Sequence, residues 1–484
     1  MKIYFKMEAN QDTILLDLES NFKLESVTSS AGLKKVKRKK DVLFIIFNKE
    51  LNKGDKAMLE IKYSGKPIAL LGHSVLYWKK DKNGNPWICT TTEGTGPHQL
   101  FPCKNLLYDE SDSCFIRVTA PKELMVVANG KLDAKTENST TTTYNYSVHN
   151  PINIYNISFN IGKYVKIEKS YTDINNVNRI IEVYALDYNI EKADTFYNQA
   201  PIVMKQLEQL FGTFPWWNDG CRFLESNLSD GSMEHQSCIS MADGYDLDYK
   251  EFNTTLIHEL AHEWWGNNIT GFDYADSWLH EGFATYSEAL FIEAYYGYSK
   301  YESYMNRQAR WTANKRPVLK TYNVTYKPWI SGEDGDIYGK GALFLHTLRL
   351  TLKDDPLFFE ILKEAQQKFA KSNITTAQFM AFFNEKTKKD FTPYFNLYLT
   401  ESLPPVVDFK IDDSNPEFNL LEYKWSKELP LGIEMTLTMS CDGKLYFINP
   451  TTSFQSIKFP KNQKFFFEVS KSGYYIVQDM SIKK

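Results

Sequence analysis

Two histidines four residues apart enclose an acid in His258-Glu259-Leu260-Ala261-His262. On a helix that spacing puts both imidazoles on one face, about one turn apart, so both can point at a single ion. Two neutral nitrogens leave a tetrahedral divalent cation short of one protein ligand. Glu281, further along the chain, supplies a carboxylate and leaves the fourth position for water. An open position marks a catalytic metal rather than a structural one. Glu259, next to the first ligand, leans toward that water without having to ligate the ion, and so can take its proton. Zinc brings the pKa of bound water to about 7 and polarises the carbonyl under attack, so the set implies amide hydrolysis with one Zn2+ per chain. With 8 histidines in 484 residues, this motif followed by a third ligand is a poor match to chance.

The rest of the composition is that of an ordered globular protein of several domains, with 43% apolar and 15% aromatic residues. A formal net charge of -4 gives no reason to expect nucleic acid or an anionic membrane as a partner. No apolar run is long enough for a transmembrane helix, so the chain reads as soluble as given, with its compartment and oligomeric state undetermined. The N-terminus starts abruptly, as though first strands or a leader were absent. A trimmed leader would make the protein periplasmic or extracellular. The cysteines lack C-x-x-C spacing, which argues for buried free thiols over a second zinc site or a disulfide framework.

The elements that must position the metal set fall into three stretches, and together they predict a multidomain α+β chain. Residues 1–188 carry short alternating or apolar runs, at 41–47, 57–63, 114–120 and 180–186, separated by turns such as Asn83-Gly84-Asn85-Pro86. They predict an N-terminal β-sandwich-like domain. The basic run 34–40 is read as a solvated strand face, and the Ser/Thr/Asn-rich stretch 136–143 as a loop. Residues 189–402 switch to a helical period. Helices are expected over 193–211, 252–267 (bearing the histidines), 279–295 (bearing Glu281) and 338–352, with another opening at Pro356. Thr375 with Gln378 makes a capping box for one more. Residues 403–484 follow Pro404-Pro405 and form a small C-terminal β domain, in which Ile433, Met435, Leu437 and Met439 alternate before the Asp442-Gly443 turn.

A second motif precedes the metal helix: Gly231-Ser232-Met233-Glu234-His235. Together with H-E-L-A-H-E-W-W-G-N, Trp278-Leu279-His280-Glu281-Gly282 and Tyr338-Gly339-Lys340-Gly341, it resembles the zinc aminopeptidases of the gluzincin class, the aminopeptidase N and leukotriene hydrolase family. The resemblance runs from Leu100-Phe101-Pro102-Cys103 to near Leu403. It implies a thermolysin-like catalytic domain and peptide substrates with a free N-terminus. It also implies that Glu234, in the loop with Gly231, Ser232 and Met233, grips the substrate ammonium, an arrangement that permits cleavage of the first peptide bond alone. By the same resemblance Glu93, from the β domain, joins that anchor, and the Tyr338 phenol donates a hydrogen bond to the oxyanion.

Glu288 shares a helical face with Glu281 and either receives the second ring proton of a ligand histidine or makes a structural salt bridge. His235 and His280 stand where the family has Asn, which leaves the mechanism intact but puts selectivity in doubt, both being readable as supporting donors. The large helical C-terminal domain of longer members has no counterpart in the last stretch, which predicts a short form with a more open site. His73, His98, His149 and His346 lack ligand spacing and are read as structural or surface residues. Three other functions fit the same zinc signature: an endopeptidase, an epoxide hydrolase, and an inactive peptide-binding module.

Overall fold

A computed structural model describes residues 1–69, 73–322 and 335–480. The architecture is multidomain α+β. At the N-terminus two antiparallel sheets face each other: Lys2–Lys6, Lys56–Ser64 and Lys23–Ser29 in one, Gln11–Asp17, Val42–Leu51 and Leu33–Lys39 in the other. Alternating residues such as Leu43, Ile45, Phe47, Leu59 and Ile61 fill the space between them. Outside that core, the Leu33–Lys39 strand turns lysines to solvent, while Arg38 reaches back to the carbonyls of Leu18 and Phe22.

A second pair of sheets follows. One has the order Met125–Ala128, Phe159–Gly162, Pro86–Thr90, Leu76–Lys80; the other contains Lys131–Glu137, Thr141–Val148 and Cys114–Pro121. The stretch 136–143, expected as a loop, is mostly hairpin, because its threonines are β-branched and suit a pleated strand. Only its tip turns, where the Asn138 side chain accepts hydrogen bonds from the Thr140 and Thr141 amides at 2.9 and 2.8 Å.

Strands Tyr164–Thr172 and Asn178–Leu186 then pair, and the second lies parallel to Cys221–Glu225, which pairs with Cys238–Met241. The expected boundary at 188/189 thus passes through a hydrogen-bonded sheet. One large core joins Val183 and Phe223 of that sheet to the helices α1 (Ile190–Phe196), α2 (Ala200–Phe211), α3 (Thr254–Ala261), α4 (Trp278–Tyr296), α5 (Tyr298–Trp311), α6 (Asp336–Leu352), α7 (Asp355–Lys368) and α8 (Thr376–Thr387).

The stretch 193–211 is not one helix. Pro201 has no amide proton to continue the ladder, so a 3-10 turn at Tyr197–Gln199 separates α1 from α2. Helix α5, entered through Gly297 at φ 86°, is an addition to the expected set. The capping box at Thr375 and Gln378 is present.

In the C-terminal stretch the sheet with the order Gln455–Pro460, Phe418–Trp425, Val406–Asp412, Ile476–Asp479 packs on a second of Lys444–Ile448, Leu437–Cys441 and Phe465–Phe467. The alternation that begins at Ile433 is only partly strand: Ile433 lies before Leu437–Cys441 and buries itself in the helical core. Among the described residues no helix is long and apolar enough to cross a membrane, and all six cysteines are unpaired, five of them buried.

Candidate active site

Helix α3 starts where the Asn253 side chain accepts the Leu256 amide at 2.8 Å, and it ends at His262, earlier than the expected 267. The stop is built into the chain. The His262 carbonyl accepts the Asn267 amide at 2.9 Å, and Gly266 adopts φ 132°, which a residue with a side chain rarely takes. The wound-off turn lets His262 Nδ1–H donate to the Trp265 carbonyl at 2.9 Å, leaving Nε2 to face Glu281 as the nitrogen that could take a metal. On His258 the Nδ1–H donates to Glu288 Oε1 at 2.8 Å, so Glu288 orients the His258 ring and is in turn held by the Tyr304 hydroxyl of α5.

Glu281 sits in the first turn of α4, with Oε2 3.1 Å from His258 Nε2 and 3.4 Å from His262 Nε2. The ligand atoms of these three residues lie within 4.8 Å of one another. Their chemistry fits a zinc ion: two nitrogens and one oxygen, each ring fixed by its second nitrogen. The protonation balance fits as well. Although burial opposes it, attraction to His262 and His258 holds the Glu281 carboxyl below the usual carboxylate range, and Glu281 in turn raises His262 to about 9. The pair thus holds protons where a dication would replace them.

Glu259 is buried, and its Oε2 has no hydrogen-bond partner among the described residues. Burial pushes its carboxyl up to about 8, a tendency opposed by His258 and His262 and reinforced by Glu234 and Glu281. A dication at the adjacent ligand set would favour the ionised form that a base requires.

Glu234 is brought into the same space, its ligand atom grouping with those of Glu259 and His262. Gly231 turns at φ 116°, and Met233 then exchanges both backbone hydrogen bonds with Ser240, so the carboxylate leaves the loop in one direction. The Ser232 hydroxyl accepts the Ala242 amide at 3.0 Å and supports that turn rather than the metal set. The Tyr155 hydroxyl donates to Glu234 Oε1 at 2.9 Å. No sequence signal pointed to Tyr155, which comes from a distant part of the chain.

Glu93 keeps part of its surface open to solvent, yet its carboxyl is raised well above the usual range by burial and then by the charges of Glu234, Glu281 and Glu259. The N-terminal β region thus brings Glu93 within electrostatic reach of those three carboxyl groups.

Tyr338 arrives through a close helix crossing. A side-chain carbon on Gly282 would lie 2.9 Å from Gly341 Cα, so α4 and α6 touch backbone to backbone. That contact, between the glycines of the two motifs, sets the Tyr338 ring 5.8 Å from the His258 ring. Burial and the surrounding carboxylates raise its pKa well above the ordinary value, so the phenol stays a donor. Tyr338→Phe, which keeps the packing and removes only the donor, is expected to lower kcat by about 10²–10³ with little change in KM, as read by steady-state kinetics.

His235 and His280, readable as supporting donors, each commit one ring nitrogen to a partner outside the ligand set. His235 hydrogen-bonds the Ser240 hydroxyl at 2.9 Å and burial holds its pKa down to about 3; His280 Nε2 accepts the Gly271 amide at 2.7 Å. A surface groove of about 790 Å³ lies beside Phe252 near the start of α3 and is lined by none of the expected site residues.

A histidine pair on one helix with a glutamate ligand from the next long helix defines the gluzincin class of metallopeptidases. Residues 197–398 match the model of the Peptidase family M1 domain. It is similar to aminopeptidase B of Rattus norvegicus, 24% identical over 362 residues covering 71% of this chain and 52% of the relative. Leukotriene A-4 hydrolase of Xenopus laevis is 22% identical over 74% of this chain and 60% of its own length. The chain therefore spans roughly half to three fifths of these two relatives. In fold it resembles a mutant M1 zinc metallopeptidase from Deinococcus radiodurans bound to a Tyr-Ser-Ala substrate, with TM-score 0.72 and 20% identity over 84% of this chain and 90% of that one.

Proposed function

We propose that this chain is a zinc aminopeptidase that removes the N-terminal residue from peptides. The observation that carries the reading is the grouping of Glu234 with Glu259 and His262, whose ligand atoms lie within 4.8 Å of one another, an acidic cluster suited to an ammonium beside the proposed ligand trio. When bound by His258, His262 and Glu281, zinc supplies Lewis acidity to the scissile carbonyl and acidity to the attacking water. Glu259 takes the proton of that water and returns it to the leaving amine. Glu234 and Glu93 pair with the substrate ammonium, and Tyr155 holds the Glu234 carboxylate in place. Tyr338 donates to the developing oxyanion. Because the anchor lies against the metal set, only the first peptide bond of a bound substrate reaches the reacting position.

The test is a panel of peptides with free or acetylated N-termini, assayed with zinc restored after chelation. Free peptides are expected to be cut at the first bond with kcat/KM at least about 10²-fold above their acetylated forms, the worth of one charge-assisted pair. Equal cleavage of both, or internal cuts, would remove the ammonium anchor and favour an endopeptidase.

A further inference from the structure

We propose that Glu263, the residue directly after the second ligand histidine, is a positioning residue that sets the spacing between the ammonium anchor and the metal; the inference rests on the aminopeptidase reading above. Glu263 is fully buried and belongs to neither the ligand set nor the anchor. Its Oε1 accepts the Ser237 amide at 2.9 Å, and its Oε2 accepts the Asn267 side-chain amide at 3.2 Å. The same Asn267 nitrogen donates to the Glu234 carbonyl at 2.9 Å. Asn267 cannot turn over to trade these contacts, because its oxygen accepts from Asn156 at 2.7 Å. One carboxylate at the end of α3 therefore holds both sides of the turn that presents Glu234.

That turn needs holding. Ser237 adopts φ 61°, a left-handed conformation that residues with side chains disfavour and that persists where surrounding contacts over-determine it. Its hydroxyl accepts the Gly130 amide at 3.0 Å, and Asn156 accepts the Gln236 amide at 3.2 Å, so the N-terminal β region braces the turn from the far side. Only a carboxylate presents two acceptor oxygens here. Glutamine offers one, and its amide would face the Asn267 donor. Since the pairing of Glu234 with a substrate ammonium depends on where the turn holds that carboxylate, a buried clamp between the metal helix and the anchor loop governs how firmly the amino end is held.

The experiment compares the full-length zinc-loaded chain with Glu263→Gln and Glu263→Ala, using an aminoacyl anilide and matched free and acetylated peptides. The alanine variant is expected to raise KM for free substrates by about tenfold or more, the worth of a hydrogen bond to a charged group, and to lower the free-over-acetylated preference by the same factor. Zinc content and kcat are expected to stay within about threefold, with glutamine intermediate. Unchanged KM, or loss of kcat and zinc together at constant KM, would overturn the proposal. If Glu263→Ala does not fold, Asn267→Ala is expected to give the same KM signature, and its absence there counts equally against the clamp. Hydrogen exchange at the Ser237 amide is independent of substrate choice. Faster exchange in Glu263→Ala supports the clamp and unchanged exchange refutes it, even if the wild-type chain fails to distinguish free from acetylated peptides and the aminopeptidase reading falls.

Discussion

Glu259→Gln is expected to lower kcat by about 10⁴-fold, the upper end for a positioned acid–base group, while the protein keeps its zinc. The substitution keeps shape and volume and removes only the ability to accept a proton. No structural hydrogen bond is sacrificed at Oε2, which has no partner among the described residues. Single-turnover kinetics with metal analysis check the prediction; loss of zinc, or a kcat within about tenfold of wild type, would make Glu259 a structural residue.

A stability signature should accompany the kinetic one. Burial raises the Glu259 carboxyl from its ordinary 4.5 to about 8, so ionising it disfavours the metal-free fold. The penalty is absent below the ordinary value and grows as pH rises toward about 8. Metal-free Glu259→Gln should therefore melt above metal-free wild type at pH 8, with the difference vanishing near pH 4.

Removing the metal is expected to abolish turnover, and zinc added back should restore it in the wild type but not in His262→Ala or Glu281→Gln. The affinity itself should depend on pH with a definite sign. In the metal-free chain burial lowers the His262 pKa, but the neighbouring Glu281 and Glu234 more than offset this and hold it near 9; Glu281 and Glu288 raise His258 in the same direction. Ligation requires neutral rings, so at neutral pH zinc must displace protons, and affinity rises about tenfold per pH unit for each proton released. The rise should continue to about pH 9, where His262 has lost its proton, rather than level off near 6.5. The same raised values stabilise the metal-free fold below the ordinary imidazole pKa, and that contribution is lost as pH rises through about 9. Competition against a chromophoric chelator from pH 6 to 9 reads the slope; an affinity flat across that range would mean that the histidines are already neutral.

The structure also shows where local pattern misleads. Thr136 to Thr143 looks like a loop by composition, but threonine is as much a strand residue as a polar one, and only the Asn138 tip turns. The alternation from Ile433 looks like a strand, yet Ile433 finds a better burial against the helical core than in the C-terminal sheets. The helix expected over 193–211 ignored Pro201, and the one expected over 252–267 ignored Gly266, where the backbone takes a conformation that ends the helix. In each case a single residue or a distant surface outweighed the periodicity.

What the sequence determined by itself is that His258 and His262 share one helix face, because residues four apart do so whatever surrounds them; that Glu281 meets them depends on how α3 and α4 pack. The motif glycines were legible only as part of a resemblance, and their physical purpose, a backbone contact between α4 and α6 that delivers Tyr338, depends on how two helices cross. Tertiary structure alone decided that Tyr155 reaches Glu234 from the β region, and that Glu263 ties the anchor turn to the turn after the metal helix. These partners lie far apart along the chain, and no local period encodes a meeting that is set by packed cores and buried hydrogen bonds.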